Sequence, residues 1–543
     1  MPDPKTLTIT ELGGPLTRRN NGDINSGLAK YDSSWGYDPY SKPGNLTWME
    51  QPVSILSLAG ADSVIGIMKA RIGGIQGLNA NQGYVFAVSN GGSGRLRRIQ
   101  VNDTATNNPN FDTHSVMGAM PIAPSQDRVP GMVFYGSTEK IFYGDNDTSL
   151  QKINFDGSAP TSIYGVSSVI SGVPRPVTTF LGKIYFGNNN NIGEIDSTEL
   201  ITTGAKLSPA LPAGVIVKDL DVTPDGNYLQ ITASKSAPAD FSENPSAGSG
   251  ISTESFKFLW NGIDEAATYF EEYGGTGLTA GQTFGDKNYA LGFGPEGTTI
   301  FSQQQKVATL PNTISPHPTA TFSTGNVLGF MSPEYVDGEL RGSLYHYGQF
   351  DSDSPSGLFR ILRHESTVKT DVPIVNAVVN VSNLFYFPSY SSYTGDTATV
   401  GKIYFTTKEA SADANADSRS ILWRFTTVPT GVGSIVAGTY ETQTQLFSKK
   451  VKVSEVRLYT EPLVGGNDFI VDVIGSGGSV MSGGSQRFVV GTSSVAAGTD
   501  MVHFNPAMAP TYACGVRITN SSVTGVANWT GTKVEIDYSD AGR

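Results

Sequence analysis

Apolar positions in this chain come in short runs, each closed off by turn formers. "GYVFAVSN" (83–90) is followed by "GRLRRIQV" (94–101), and then by "GMVFYGS", "EKIFYGD" and "LQKINFDG" between residues 131 and 157. Further runs are "DKNYALGF" (286–293), "GTTIFSQ" (297–303), "GSLYHYG" (342–348) and "SNLFYFP" (382–388). Val, Ile, Phe and Tyr dominate them, and Gly, Asn, Asp or Ser bound them, which predicts strands joined by tight turns. The best helical candidate is "GIDEAATYFEEYGG", starting at residue 262, and it is short. From about residue 440 the alternation becomes regular. "KKVKVSEVRLYTEPL" puts Val451, Val453, Val456 and Leu458 on inner faces. "DFIVDVIG", "RFVVGT", "MVHFNP", "CGVRITN" and "KVEIDYS" continue the period of two. "GSGGSVMSGGS" (475–485) reads as a mobile hairpin loop.

One strand pattern recurs. "TEKIFYGDN", "LGKIYFGNN" and "VGKIYFTTK" each carry Lys-Ile-aromatic-aromatic. Lys140 and Lys183 are 43 residues apart, and Lys183 and Lys402 are 219 apart, close to five steps of 44. One such step after Lys183 falls in "TPDGNYLQITAS", where Asp225-Gly226 is a strong hairpin turn because glycine accepts positive φ. A period of ~40–50 residues in an all-β chain is the signature of propeller blades. The expected fold is therefore all-β: a β-propeller of about seven blades, six to eight being compatible with the span, followed by a C-terminal β-sandwich. A large stacked sandwich is the alternative. In "LGKIYFGNN", Ile184, Tyr185 and Phe186 are expected to pack between sheets, with the asparagine run as the turn that follows. The expected domains are an extended N-terminal arm over 1–50, the propeller over 51–430 and the sandwich over 431–543. The arm mixes Gly, Asn, Asp and Pro with aromatics, and is expected either to pack on a neighbouring surface or to cover its own domain as a plain N-terminal extension. Its candidate interface residues are Arg18, Arg19, Trp35, Tyr37 and Trp48.

Composition sharpens this picture. The chain has 543 residues, 63 Gly, 30 Pro and only 16% charged residues, a turn-rich and β-rich balance. Its net charge of −12 argues against a duplex-binding surface, and the basic spots at Arg18-Arg19 and Arg95, Arg97 and Arg98 are short. One cysteine, Cys514, allows no intramolecular disulfide. The first residues lack a charged start followed by an apolar block, so no secretory leader is expected, and no apolar run approaches the ~18 residues of a membrane span.

Chemistry is sparse. The five histidines, His114, His317, His346, His364 and His503, form no pair at zinc-ligand spacing. There is no nucleophile elbow and no phosphate-binding glycine loop. "DNDTS" (145–149) and "DSDSPSG" (351–357) offer oxygen ligands of the kind calcium takes, but Asp and Ser are also ordinary turn formers. The acids that a glycosidase propeller would require, Asp219, Asp221, Asp264, Glu265, Glu271 and Glu272, cannot be ranked from sequence. The expectation is a non-enzyme with no cofactor and no resident metal.

Three segments carry a resemblance. "LGGPLTRRNNGDINSGL" with "YDSSWGYDP" resembles the N-terminal arms of phage virion proteins. "KKVKVSEVRLYTEPL" is similar to C-terminal modules of propeller-containing phage tail proteins. "VTPDGNYLQI" (222–231) resembles the Pro-Asp-Gly hairpin of TolB-like and WD-repeat propellers. Together they cover about a quarter of the chain, and none is a catalytic motif. The resemblance implies a structural protein of a tailed bacteriophage, of nozzle or tail-tip type. It implies a homo-oligomer, a hexameric ring, which meets other tail proteins: an adaptor or portal-side ring, fibres or spikes. DNA would be transient cargo, no membrane anchor is implied, and the location would be the virion, after assembly in the host cytoplasm. The alternatives are a glycan-binding or glycan-hydrolysing propeller acting in host attachment, and a peptide-binding propeller scaffold.

Overall fold

The computed structural model describes strands along most of the chain, and side chains chiefly in residues 4–12, 150–235, 254–273 and 438–541. The chain is all-β: the described elements are antiparallel strands, apart from one short 3-10 turn at Ser476–Gly478. It divides into two units, one of residues 1–51, 367–373 and 426–543, the other of residues 52–366 and 374–425.

Among the described strands, the second unit holds seven successive antiparallel sheets, beside a small two-stranded one of Tyr335–Val336 and Glu339–Leu340. The first five are four-stranded meanders, opening with Val64–Arg71, Met132–Tyr135, Val177–Phe180, Ile216–Val222 and Gly277–Phe284. The sixth includes Phe330–Met331, Leu344–Gly348 and Gly357–Ile361. The seventh runs Val379–Phe387, Lys402–Glu409, Arg419–Thr426, and is completed by Gln51–Leu58 from far earlier in the chain. The first strand of each sheet lies against the first strand of the next, and the seventh sheet's lies against the first sheet's, so the succession closes on itself.

The three Lys-Ile-aromatic-aromatic segments occupy one structural position. Lys140–Gly144, Lys183–Asn188 and Lys402–Glu409 are the second strands of the second, third and seventh sheets. From Lys183 to Lys402 there are therefore four sheets, where the spacing predicts five, because insertions lengthen the later steps. In the third sheet all three expected side chains are buried. Ile184 and Phe186 pack with Phe142 and Leu150 of the second sheet, whereas Tyr185 points the other way, edge-on to Trp260 of the fourth at 5.3 Å. The turn after them is narrower than the asparagine run. Asn188 and Asn191 pair across the hairpin, and only Asn189 and Asn190 form the loop, with Asn189 at φ 58°.

The helical candidate is not a helix. Asn261 Oδ1 accepts from the backbone N–H groups of Ile263 and Asp264, and Trp260 Nε1 donates to the Asp264 carbonyl. These bonds fold 261–264 into a turn, and Tyr269–Gly274 then continues as the fourth strand of the fourth sheet. The competing signal is the alternation of Tyr269, Glu271 and Tyr273 against Phe270 and Glu272, which has the period of a strand.

In the first unit, Gly531–Asp540 lies between Lys5–Ile9 and Gln445–Thr460, whose far part also pairs with Met501–Phe504. A second ladder runs Tyr31–Trp35, Thr439–Thr442, Thr511–Asn520, Asp468–Ile474, Val480–Val489. The start of Thr511–Asn520 also pairs with Gln445–Thr460 and joins the two ladders. One core of Ile9, Val456, Leu458, Phe469, Val516, Ile518, Trp529 and Ile536 serves both. Val451, Val453, Val456 and Leu458 are all buried, with a register shift between Val453 and Glu455 that moves the inward set by one residue. The expected loop at 475–485 is mostly strand: a tight turn at Ser476–Gly478 leads into Val480–Val489. Gly483 (φ +77°) is needed there, since a Cβ would sit 2.3 Å from the Ala507 carbonyl.

Strands from the expected N-terminal arm thus pair with strands from beyond residue 438, and belong to the same unit. Leu46 bridges Gly531, and Tyr440 donates its hydroxyl to the Leu12 carbonyl at 2.6 Å. Cys514 is buried in this unit, where burial pushes its thiol up to about 12.

Candidate functional site

The fourth sheet separates its side chains by chemistry. Its second strand, Leu229–Ser234, alternates Leu, Ile and Ala with Gln, Thr and Ser, as a half-exposed strand would, yet all six residues are buried. Leu229, Ile231 and Ala233 face the third sheet's aromatics, together with Phe256, Phe258 and Trp260. The opposite face carries Gln230, Thr232 and Ser234, and the register sets them in rows with their neighbours. One row reads Asp219, Thr232, Lys257, Glu271 across all four strands. The next sets Asp221 beside Gln230. Directly opposed residues share a face, so this is a buried polar surface.

The first strand of the fifth sheet, Gly277–Phe284, packs on it. Two of its N–H groups donate into the polar face: Leu278 to Ser255 Oγ at 2.8 Å and Gly281 to Asp219 Oδ2 at 3.0 Å. Residues three apart in a regular strand turn their N–H groups to opposite edges. A register shift between Leu278 and Ala280 brings both to the same side. Gly281 is required by closeness: a Cβ there would lie 2.5 Å from Thr232 Oγ1 and 2.6 Å from Gln230 Nε2.

The electrostatics of this seam are unequal along its length. Lys257 is 3% exposed and lies 3.2 Å from Glu271, which also accepts the Tyr273 hydroxyl at 2.6 Å. Burial holds the Lys257 ammonium below its usual range, against the pull of Glu271. At the inner end, burial raises Asp219 to about 7. Its bonds from Gly281 and Leu220 oppose the rise, and the charge on Asp221 adds to it. Both side-chain atoms of Gln230 are buried without a hydrogen-bond partner. A third acid, Glu194, is answered by Lys206 at 2.8 Å and Lys183 at 2.9 Å, which together hold it below the usual carboxylate range despite its desolvation.

Of the acids named from sequence, Asp219, Asp221 and Glu271 therefore lie on the polar face, and Asp264 and Glu265 lie in the turn before the fourth strand. Gln230, Thr232, Lys257 and Gly281 were not among the candidates; the alternation in "LQITAS" is the signal that could have found them. Among the described residues no three His, Cys, Asp or Glu gather to hold a metal, and no helix is long and apolar enough to cross a membrane. The Asp-rich loops after residues 144 and 350 lie outside the described residues, apart from Ser149 and Gly357, which begin strands. Of the candidate interface residues, Arg18 and Arg19 also lie outside them. Trp35 pairs with Thr439, and Trp48 pairs with Tyr37. Tyr37 is 1% exposed with its ring edge-on to Trp529 at 5.7 Å, so this aromatic is committed to the chain's own core rather than to a surface.

These features define an all-β protein of many antiparallel sheets. No protein-family model and no curated protein matches the chain. Solved structures similar to it include YCF48 bound to D1 peptide, at TM-score 0.40 and 11% identity over 71% of this chain and 97% of that one. Raptor from Chaetomium thermophilum matches at 0.40 and 8% over 70% of this chain and 29% of that one. A chain of the mitotic checkpoint complex matches at 0.39 and 10% over 70% and 94%.

Proposed function

We propose that this chain is a structural component of a bacteriophage tail, a seven-bladed β-propeller joined to a β-sandwich, and acts by assembly rather than by catalysis. The observation that carries a structural role is where the buried charges go. Lys257 is held against Glu271, Glu194 against Lys183 and Lys206, and Glu199 against Lys140 and Lys152. Each of these groups ties strands or sheets together, whereas a catalytic site keeps its groups aimed at a substrate. The closed succession of seven sheets supports the propeller, and the two ladders around one core support the sandwich. The resemblance of the N-terminal and C-terminal segments to tail proteins supplies the setting: a ring, hexameric on that resemblance, which meets other tail proteins and lets DNA pass.

Native mass spectrometry of the full chain, with electron microscopy of the same sample, tests this. A discrete closed ring is the expected result. A stable monomer that binds or cleaves a glycan would replace the reading with host attachment.

A further inference from the structure

We infer that the inner end of the polar seam between the fourth and fifth sheets is a calcium site, formed by Asp219, Asp221, Gln230 and Thr232. All four side chains end in hard oxygen donors, the donor type calcium takes in six- to eight-fold coordination with water completing the shell. They occupy a two-by-two block on one face, with Asp219 opposite Thr232 and Asp221 opposite Gln230. Facing Cβ atoms in such a block are about 5 Å apart, so carboxylate, amide and hydroxyl oxygens reach a common centre.

The convergence is visible at Gly281. Its N–H meets Asp219, and its missing Cβ leaves room for Thr232 Oγ1 and for the amide end of Gln230, which is placed with Nε2 toward it. Gln230 is the observation that points to a ligand. It is 0% exposed, and neither its amide oxygen nor its nitrogen has a partner, so exchanging the two atoms would leave the group equally unanswered. A buried amide left this way costs about 1–3 kcal/mol, and a cation on Oε1 would offset part of that. Asp221 is only partly buried, which leaves the ion a way in. Lys257 sits at the outer side of Thr232 and is held by Glu271. The site is independent of the proposed tail role.

Equilibrium dialysis of the full-length, chelator-treated protein against about 1 mM calcium, within the range of extracellular calcium modules, is the first measurement. The second is the calcium-induced rise in the thermal midpoint, for wild type and for Asp221→Asn and Gln230→Met. The expected result is a rise in wild type, with calcium affinity at least about tenfold weaker in each folded variant. If Asp221→Asn does not fold, Gln230→Met, which keeps the side chain's length, decides. Absence of bound calcium in wild type overturns the site. So does calcium binding that survives Gln230→Met unchanged, since the ion would then sit elsewhere, for instance in the Asp-rich loops.

Discussion

At the scale of single residues, the seam makes sharp demands. Gly281→Ala drives a methyl group into Thr232 and Gln230 at 2.5 and 2.6 Å. Overpacking of that kind costs about 1–3 kcal/mol, and a urea titration should show it as a lower midpoint with an unchanged slope. Lys257→Met strands Glu271 in a buried setting, and breaking such a pair costs about 3–5 kcal/mol. The double variant Lys257→Met, Glu271→Leu should recover most of that loss, because a well-packed apolar pair replaces the ion pair at little net cost. A double variant as unstable as the single one would mean that the Tyr273 hydroxyl, or packing, dominates the site. None of this was legible one residue at a time. Glu271 in "FEEYGG" looks like a solvated acid, and only the register brings Lys257 beside it.

Individual elements were more legible than their partners. The strand Lys183–Asn188 announces itself because both of its faces are buried, which forces the dense apolar run in "KIYF". Asp225-Gly226 marks its hairpin, where Asp225 accepts from Thr223 Oγ1 and Gly226 takes φ +72°. What stayed hidden is distance along the chain, because insertions such as 236–253 stretch the steps. The long strand Gln445–Thr460 carries a charge ladder that the apolar pattern does not report. Arg457 meets Asp537 at 2.8 Å, Glu535 at 3.1 Å and also Glu455. Hydrogen bonds from Arg457 to Asp537 and from Lys533 to Glu535 are the leading causes that hold these carboxyls below their ordinary range. A carboxylate with a depressed folded value stabilises the fold above its unfolded pKa, and loses that contribution as pH falls through the folded value. Wild type should therefore exceed Asp537→Asn in urea midpoint at pH 7, by a modest amount given the partial exposure, and the gap should narrow as pH falls below the ordinary carboxylate range. A gap that stays constant as pH falls would show that shape, and not charge, sets the difference.

For the whole molecule, the division into units does not follow chain order. Residues 1–51 join 426–543, so a unit boundary read along the sequence separates segments that fold together. Residues 438–543 alone leave the edge of Gly531–Asp540 uncovered, and they lack Leu7, Ile9, Leu12, Tyr37 and Leu46 from their core. This fragment should aggregate or remain loosely packed, whereas joining residues 1–50 to it through a flexible linker should yield a cooperative thermal transition. Circular dichroism melts of the two proteins check this, and equal behaviour would show the N-terminal strands to be dispensable.

Those early strands also set a schedule. Lys5–Ile9 leaves the ribosome long before its partner Gly531–Asp540. Gln51–Leu58 likewise waits for Arg419–Thr426. At roughly 5–20 residues per second, translating the stretch from Lys5–Ile9 to Gly531–Asp540 takes on the order of a minute, and Lys5–Ile9 is without that partner until then. The second unit waits for Arg419–Thr426 and the first for Gly531–Asp540, so a product terminated between them lacks strands of the first unit only. A folded first unit is therefore a mark that translation has passed Gly531–Asp540.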